Sequence, residues 1–90
     1  MATSVSGTFA ATGTSAAQNH SGGGLLGLSI SGTFVGTIKL ERYMGAAWHT
    51  IETYTSITEK NVSTASASIL YRLNCSAYTS GTVTYYLGYA

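Results

Sequence analysis

The chain has no proline and no aspartate, a single cysteine, and charged side chains at only 8% of its 90 positions. Each shortage excludes something. With no proline, little charge and apolar residues at 44%, it does not have the composition of a disordered segment. Without aspartate a Ser-His-Asp triad is impossible, and a Ser-His-Glu set is all that remains. Cys75 has no partner for an internal disulfide; it reads as a small buried strand residue, with an intermolecular disulfide as the alternative. No run approaches the roughly 18 apolar residues of a helical membrane span. A net charge of +1 provides no basic stripe for nucleic acid. Met1-Ala2-Thr3-Ser4 lacks the basic and apolar regions of a secretory signal, so the protein is expected to be made and used without export.

An ordinary soluble domain carries about 25% charged residues. Here all seven, Lys39, Glu41, Arg42, Glu52, Glu59, Lys60 and Arg72, fall between positions 39 and 72. Serine and threonine, 26 residues together, supply the polarity elsewhere. Short uncharged side chains suit surfaces that meet other protein, where desolvating a charge is costly. The charge distribution therefore predicts middle hairpins facing water and two neutral ends meeting neighbours.

The dominant period is two. Ile38, Leu40 and Arg42 alternate with Lys39 and Glu41; Tyr71, Leu73 and Cys75 with Arg72 and Asn74; Val83, Tyr85 and Leu87 with Thr84 and Tyr86. Such alternation, rich in β-branched and aromatic residues, marks half-buried antiparallel strands. The expected fold is all-β: a single antiparallel β-sandwich of about eight short strands, jelly-roll-like in its specific form. Strands are expected near 3–10, 14–20, 25–31, 34–43, 47–55, 58–63, 67–75 and 82–89, with one helical turn conceivable over 64–70. Turns are expected at Ser31-Gly32-Thr33, Met44-Gly45-Ala46 and Thr79-Ser80-Gly81. Ser21-Gly22-Gly23-Gly24 divides residues 1–24, read as either weak strands or an N-terminal arm, from a sandwich body at 25–90. Ser6-Gly7-Thr8-Phe9 is echoed by Ser31-Gly32-Thr33-Phe34 and Ser80-Gly81-Thr82-Val83, which reads as repeated turn chemistry and not as a repeat architecture.

Catalysis finds little support, and the chain is expected not to be an enzyme, with no catalytic, cofactor-binding or metal-binding residues. His20 and His49 lack metal-ligand spacing, and joining them with Cys75 would require a tertiary accident. His49 reads as a solvent-facing strand residue opposite Trp48. Glu41 and Glu52 suggest paired carboxylates, but Lys39 and Arg42 are as close, so a solvated charge cluster on one sheet face is expected. The triplets at Asn19, Asn61 and Asn74 match the N-glycosylation pattern, which arises readily by chance in such a chain. Trp48, Tyr71, Tyr85 and Phe34 are expected to fill the core, and Tyr86, opposite in phase to Tyr85, to be exposed. Val5, Phe9 and Tyr86 are the candidate assembly contacts. Trp48 and Tyr86 are the candidate contacts for the alternative function, a glycan-binding module in which aromatic rings stack on sugars.

The stretch from Gly32 to Leu87 reads Gly-Thr-Phe-Val-Gly-Thr-Ile-Lys-Leu-Glu-Arg, then Trp48 before Thr-Ile-Glu-Thr-Tyr-Thr, then Tyr-Arg-Leu-Asn-Cys and Ser-Gly-Thr-Val-Thr-Tyr-Tyr-Leu. This pattern resembles small virion proteins of tailed bacteriophages. The Leu-Glu-Arg-Tyr…Ala-Trp segment also resembles an Asp-box hairpin, but Met44-Gly45-Ala46 occupies the box's acidic and glycine positions, which removes the grounds for a sugar-hydrolysing reading. The phage resemblance implies a virion structural protein, made in a bacterial host cytoplasm and located in the virion. Capsid decoration (cement) is the first placement, and neck or tail-fibre attachment the alternative. The expected partners are other virion proteins and further copies of the chain in a homo-oligomer, without nucleic acid or membrane.

Overall fold

The computed structural model describes residues 4–20, 25–63 and 69–89. They form nine strands: β1 (Ser4–Phe9), β2 (Gly13–Thr14), β3 (Gln18–His20), β4 (Leu25–Ser31), β5 (Phe34–Met44), β6 (Ala47–Tyr54), β7 (Thr58–Ser63), β8 (Ile69–Gly81) and β9 (Val83–Tyr89). Two antiparallel sheets pack together. One runs β1-β9-β4-β7; the other runs β2-β8-β5-β6, with β3 also paired to β8. The Ser21–Gly24 punctuation and residues 64–68 of the conceivable helical turn lie outside the described residues, while Ile69 and Leu70 open β8.

The topology grows from one turn in the middle of the chain. Gly45 and Ala46 both have positive φ (62° and 64°), the conformation of a two-residue hairpin turn whose twist matches its strands. Outward from this turn, β5 pairs with β6, β4 with β7, β3 and β2 with β8, and β1 with β9. The described strands thus form one long hairpin. Rolling it up adds the β4–β9 and β5–β8 pairings and divides it into two sheets. The resulting strand order is that of a jelly roll.

Rolling is driven by the apolar face of every second residue. Leu26, Leu28, Ile30, Val83 and Leu87 of one sheet meet Ile38, Leu40, Tyr71, Leu73 and Cys75 of the other, all essentially solvent-free. Cross-strand pairs such as Leu28–Leu87, Leu40–Leu73 and Ile38–Cys75 place these side chains on one face. Each fully buried leucine or isoleucine contributes about 1.5–3 kcal/mol.

The N-terminal segment belongs to this core. Phe9 is buried and stacks on Tyr85 with centroids 4.7 Å apart, and Val5 packs against the same cluster. Both turn toward the chain's own core, because β1 pairs with β9 in the register that faces its apolar residues toward Val83 and Leu87; Phe9 is buried and Val5 half-buried. The expected strand at 14–20 is interrupted at Ser15–Ala17. There Ser15 N–H donates to Leu73 O (2.8 Å), while its Oγ accepts from Leu73 N–H (2.9 Å). A side chain thus takes the place of a backbone ladder group. Ser15→Ala is expected to cost about 1–3 kcal/mol by stranding a buried N–H, read as a lowered urea midpoint.

The change of sheet is made at two adjacent corners. β4 passes to β5 through Gly32-Thr33, and β8 to β9 through Thr82, with Thr82 N–H donating to Thr33 O at 2.9 Å. Gly32 and Gly81 have φ of 99° and 91°, and a Cβ on either would meet the other crossing's backbone carbonyl at 2.4 Å and 2.0 Å. Two of the three Ser-Gly-Thr echoes are therefore one reciprocal device. The third, Ser6-Gly7-Thr8, is the interior of β1 and no turn. Nor does a turn occupy 79–81: β8 continues to Gly81, because its register shifts against β5 let the longer strand follow the shorter.

Candidate functional site

The outer face of the β8-β5-β6 sheet carries the best-ordered polar group. Glu41 and Arg72 are opposite each other on β5 and β8, as are Lys39 and Asn74. Arg72 Nε donates to Glu41 Oε1 at 2.8 Å, and Asn74 Nδ2 to Oε2 at 3.0 Å. The Arg72 guanidinium lies over Trp48, 4.2 Å from the ring centroid, and Tyr43 meets Trp48 edge-on at 5.3 Å. Burial alone would raise the Glu41 carboxyl. The Asn74 and Arg72 hydrogen bonds, with the charges of Arg72 and Lys39, outweigh it and hold the group below the ordinary carboxylate range. Because the folded value is depressed, its stabilisation is present above the unfolded value of 4.5 and is lost as pH falls through the folded one. Glu41→Gln is expected to cost about 1–2 kcal/mol at pH 7 and to flatten the acid limb of stability below the unfolded value, as measured by urea titrations across pH.

Trp48 lies on this outer face, not in the core as expected. The register of β6 against β5 slips between Leu40–Glu52 and Glu41–Thr50, leaving Ile51 as an extra residue. A bulge reverses the alternation, so Tyr54 remains inside while Trp48 emerges outside. The other aromatics assigned to the core do face it: Tyr71 is buried, and Tyr85 and Phe34 pack half-buried against it.

The same slip separates the two glutamates. Glu52 pairs with Leu40 at the sheet edge and reaches across to β7, where Lys60 Nζ lies 2.8 Å from its carboxylate and Tyr54 Oη donates to it. The Lys60 and Tyr54 hydrogen bonds hold the Glu52 carboxyl down; burial and Glu52 together push the Tyr54 phenol up. The expected single charge cluster is thus two ion pairs, one on the outer face and one closing the β6–β7 side of the sandwich. Cys75 is buried, and burial raises its thiol. His49 is exposed, with Nε2 3.1 Å from Met44 O. Among the described residues no three His, Cys, Asp or Glu side chains gather as a metal site.

The outer face of β1, β9 and β4 presents Ser4, Ser6, Thr8, Thr84, Tyr86, Ser29 and Ser31, without charge. Among the described residues β1 pairs with β9 alone, so its other edge is open. Tyr86, 39% exposed, borders a groove beside Gly27, Ser29, Glu59 and Asn61. At the corner end Val35 and Ile57 are 58% and 64% exposed. Val35 is a strand residue of β5, whereas Ile57 lies in the connection between β6 and β7.

The protein is by architecture a small jelly-roll sandwich with segregated neutral and charged surfaces. No family model, characterised protein or solved structure matches the chain.

Proposed function

We propose that the chain is a homo-oligomeric structural protein of a virion, serving as a capsid decoration (cement) protein of a tailed bacteriophage. One observation carries the reading: β1 is a six-residue, bulge-free, uncharged strand on a sheet edge that is open among the described residues, continuous with a neutral serine/threonine face. Edge strands are ordinarily blunted by charge or bulges. β7 carries Glu59 and Lys60, and β6 carries Glu52 and a bulge, so two edges follow that rule while β1 departs from it. An unblunted edge is a template for strand addition by another chain, where backbone hydrogen bonds supply affinity and no charge has to be desolvated. The sequence resemblance to phage virion proteins points the same way. The jelly roll is also used by viral capsid proteins, an association of fold alone.

Ser6→Lys/Thr8→Lys, two exposed changes, introduces charge along β1. The wild-type chain is expected to sediment as an oligomer and to add to phage particles assembled without it; the double variant, with an unchanged unfolding midpoint, is expected to be monomeric and to leave the particles bare. A wild-type protein that is monomeric and leaves them bare would overturn the proposal.

A further inference from the structure

A sheet edge is completed by another strand edge, because its free N–H and C=O groups need unpaired backbone groups facing them. The two sheets have four such edges among the described residues, and three are unsuited to this use. β7 carries Glu59 and Lys60, and the Lys60–Glu52 ion pair reaches from it to the other sheet. β6 holds Glu52 and the extra residue at Ile51, which breaks its ladder. β2 and β3 are two and three residues long, interrupted where Ser15 bonds to Leu73. β1 differs from all of these: it is uncharged and keeps one register against β9 over six residues.

That edge is held in place before any partner arrives. Tyr85 faces Gly7 so closely that a Cβ there would meet its Oη at 3.0 Å and its Cζ at 3.3 Å, and the same ring stacks on Phe9. A cross-strand aromatic that covers an edge glycine pins the strand. Little conformational entropy then remains to be lost on pairing. On the outer side Ser4, Ser6 and Thr8 are exposed; on the inner side Val5 is half-buried, and a further strand would cover what it still exposes.

We infer that β1 pairs antiparallel with β1 of a second copy about a two-fold axis, joining two four-stranded sheets into one of eight strands. Such pairing rests on the proposed assembly through β1, to which it adds the partner strand and the symmetry. The partner follows by elimination. On a second copy the β7, β6 and β2–β3 edges are as unsuited as on the first, so the edge left to meet β1 is another β1, and an edge that meets itself is an isologous contact. A two-fold perpendicular to the sheet reverses the strand and keeps both core faces on one side. Residues that face each other then share a phase. Serine and threonine meet serine and threonine outside, where such pairs hydrogen-bond, and Val5, Gly7 and Phe9 continue the apolar layer inside. No charge is desolvated in the seam. Its length of about 20 Å makes a small interface, for which a Kd on the order of 10 μM is expected.

The test compares the wild-type chain with Ser6→Lys/Thr8→Lys and Ser6→Glu/Thr8→Glu by sedimentation velocity from about 1 to 200 μM. Wild type is expected to pass from monomer to dimer over this range. Each variant alone sets like charges across the axis, and its Kd is expected to rise at least about tenfold. An equimolar mixture sets Lys against Glu and is expected to dimerise at least about tenfold more tightly than either variant alone. A contact of β1 with any other surface of the chain gives no such rescue, because the new charges would face an unaltered partner. Hydrogen exchange on wild type needs no variant to fold: β1 amides are expected to slow as concentration rises, and those of β6 and β7 to stay unchanged. Variants that are monomeric alone and remain so when mixed leave assembly through β1 standing and overturn the two-fold pairing. A wild-type monomer that still adds to particles does the same, since its β1 edge is then taken up by a different protein. Concentration-dependent protection at β6 or β7 in place of β1 also overturns the pairing, and a wild-type monomer that leaves particles bare removes both proposals.

Discussion

Gly81→Ala is expected to remove about 3 kcal/mol or more of folding stability, a large part of what a small domain has. Two effects add. The φ of 91° is one that L-residues rarely adopt, which by itself costs on the order of 1–3 kcal/mol. The new Cβ would then lie 2.0 Å from Thr33 O, a backbone atom that cannot swing aside because Thr82 N–H is bonded to it. Relief requires parting the two sheet crossings, and with them the β5–β8 and β4–β9 ladders. Gly45→Ala is the control: its φ is 62° and nothing lies within 4 Å of a Cβ there, so it should lose only the roughly 1–2 kcal/mol of a left-handed residue. Urea midpoints measure both. Equal losses at the two glycines would mean that the corner contact contributes nothing.

Leu73→Ala is expected to cost about 3–5 kcal/mol, the upper half of the range for buried leucines. The range reflects how far a site can collapse around the missing atoms, and this one is held on every side. Leu73 has no solvent exposure and faces Leu40 across the β5–β8 ladder, with Tyr71 and Cys75 beside it on the same face. Its own backbone is clamped by both Ser15 bonds. Leu73→Met, which roughly keeps the volume, should cost less than about 1.5 kcal/mol. The informative result is a shifted urea midpoint at constant slope; a loss near 1 kcal/mol for the alanine variant would show that the strand moves inward and that the Ser15 clamp is weak.

The alternation of residues 38–42, 71–75 and 83–87 made the all-β class and the inward faces legible, because period two in sequence is period two in space. Reading failed where the period itself broke. The extra residue at Ile51 moved Trp48 from the predicted core to the outer face and put Glu41 and Glu52 on different surfaces. A bulge has no sequence signature strong enough to announce it, since Ile51 is an ordinary strand residue. The corner at Gly32 and Gly81 was half legible. Both glycines stood out, but one was assigned to a turn that the continuing β8 strand replaces. Val5 and Phe9 stood out as the large apolar residues of the N-terminal segment, and their packing is against the chain's own β9 side of the core.

The groove beside Tyr86 depended on information of another kind. Its exposed ring follows from phase alone, opposite Tyr85. Its neighbours on β4 and β7 are far from Tyr86 in the chain and come beside it only once β4, β7 and β9 are in register.

The charge pattern therefore has two parts. By itself the sequence determined that the ends of the chain are neutral, that its middle is charged, and that its strands alternate, because composition and periodicity are properties of the chain. Only the tertiary structure decided where those neutral ends meet. Rolling one long hairpin about Gly45-Ala46 lays β1 against β9 and β9 against β4, gathering the uncharged strands into one face whose β1 edge is open among the described residues. Register and closure are set by long-range packing of the two apolar faces, and no local stretch of sequence contains them.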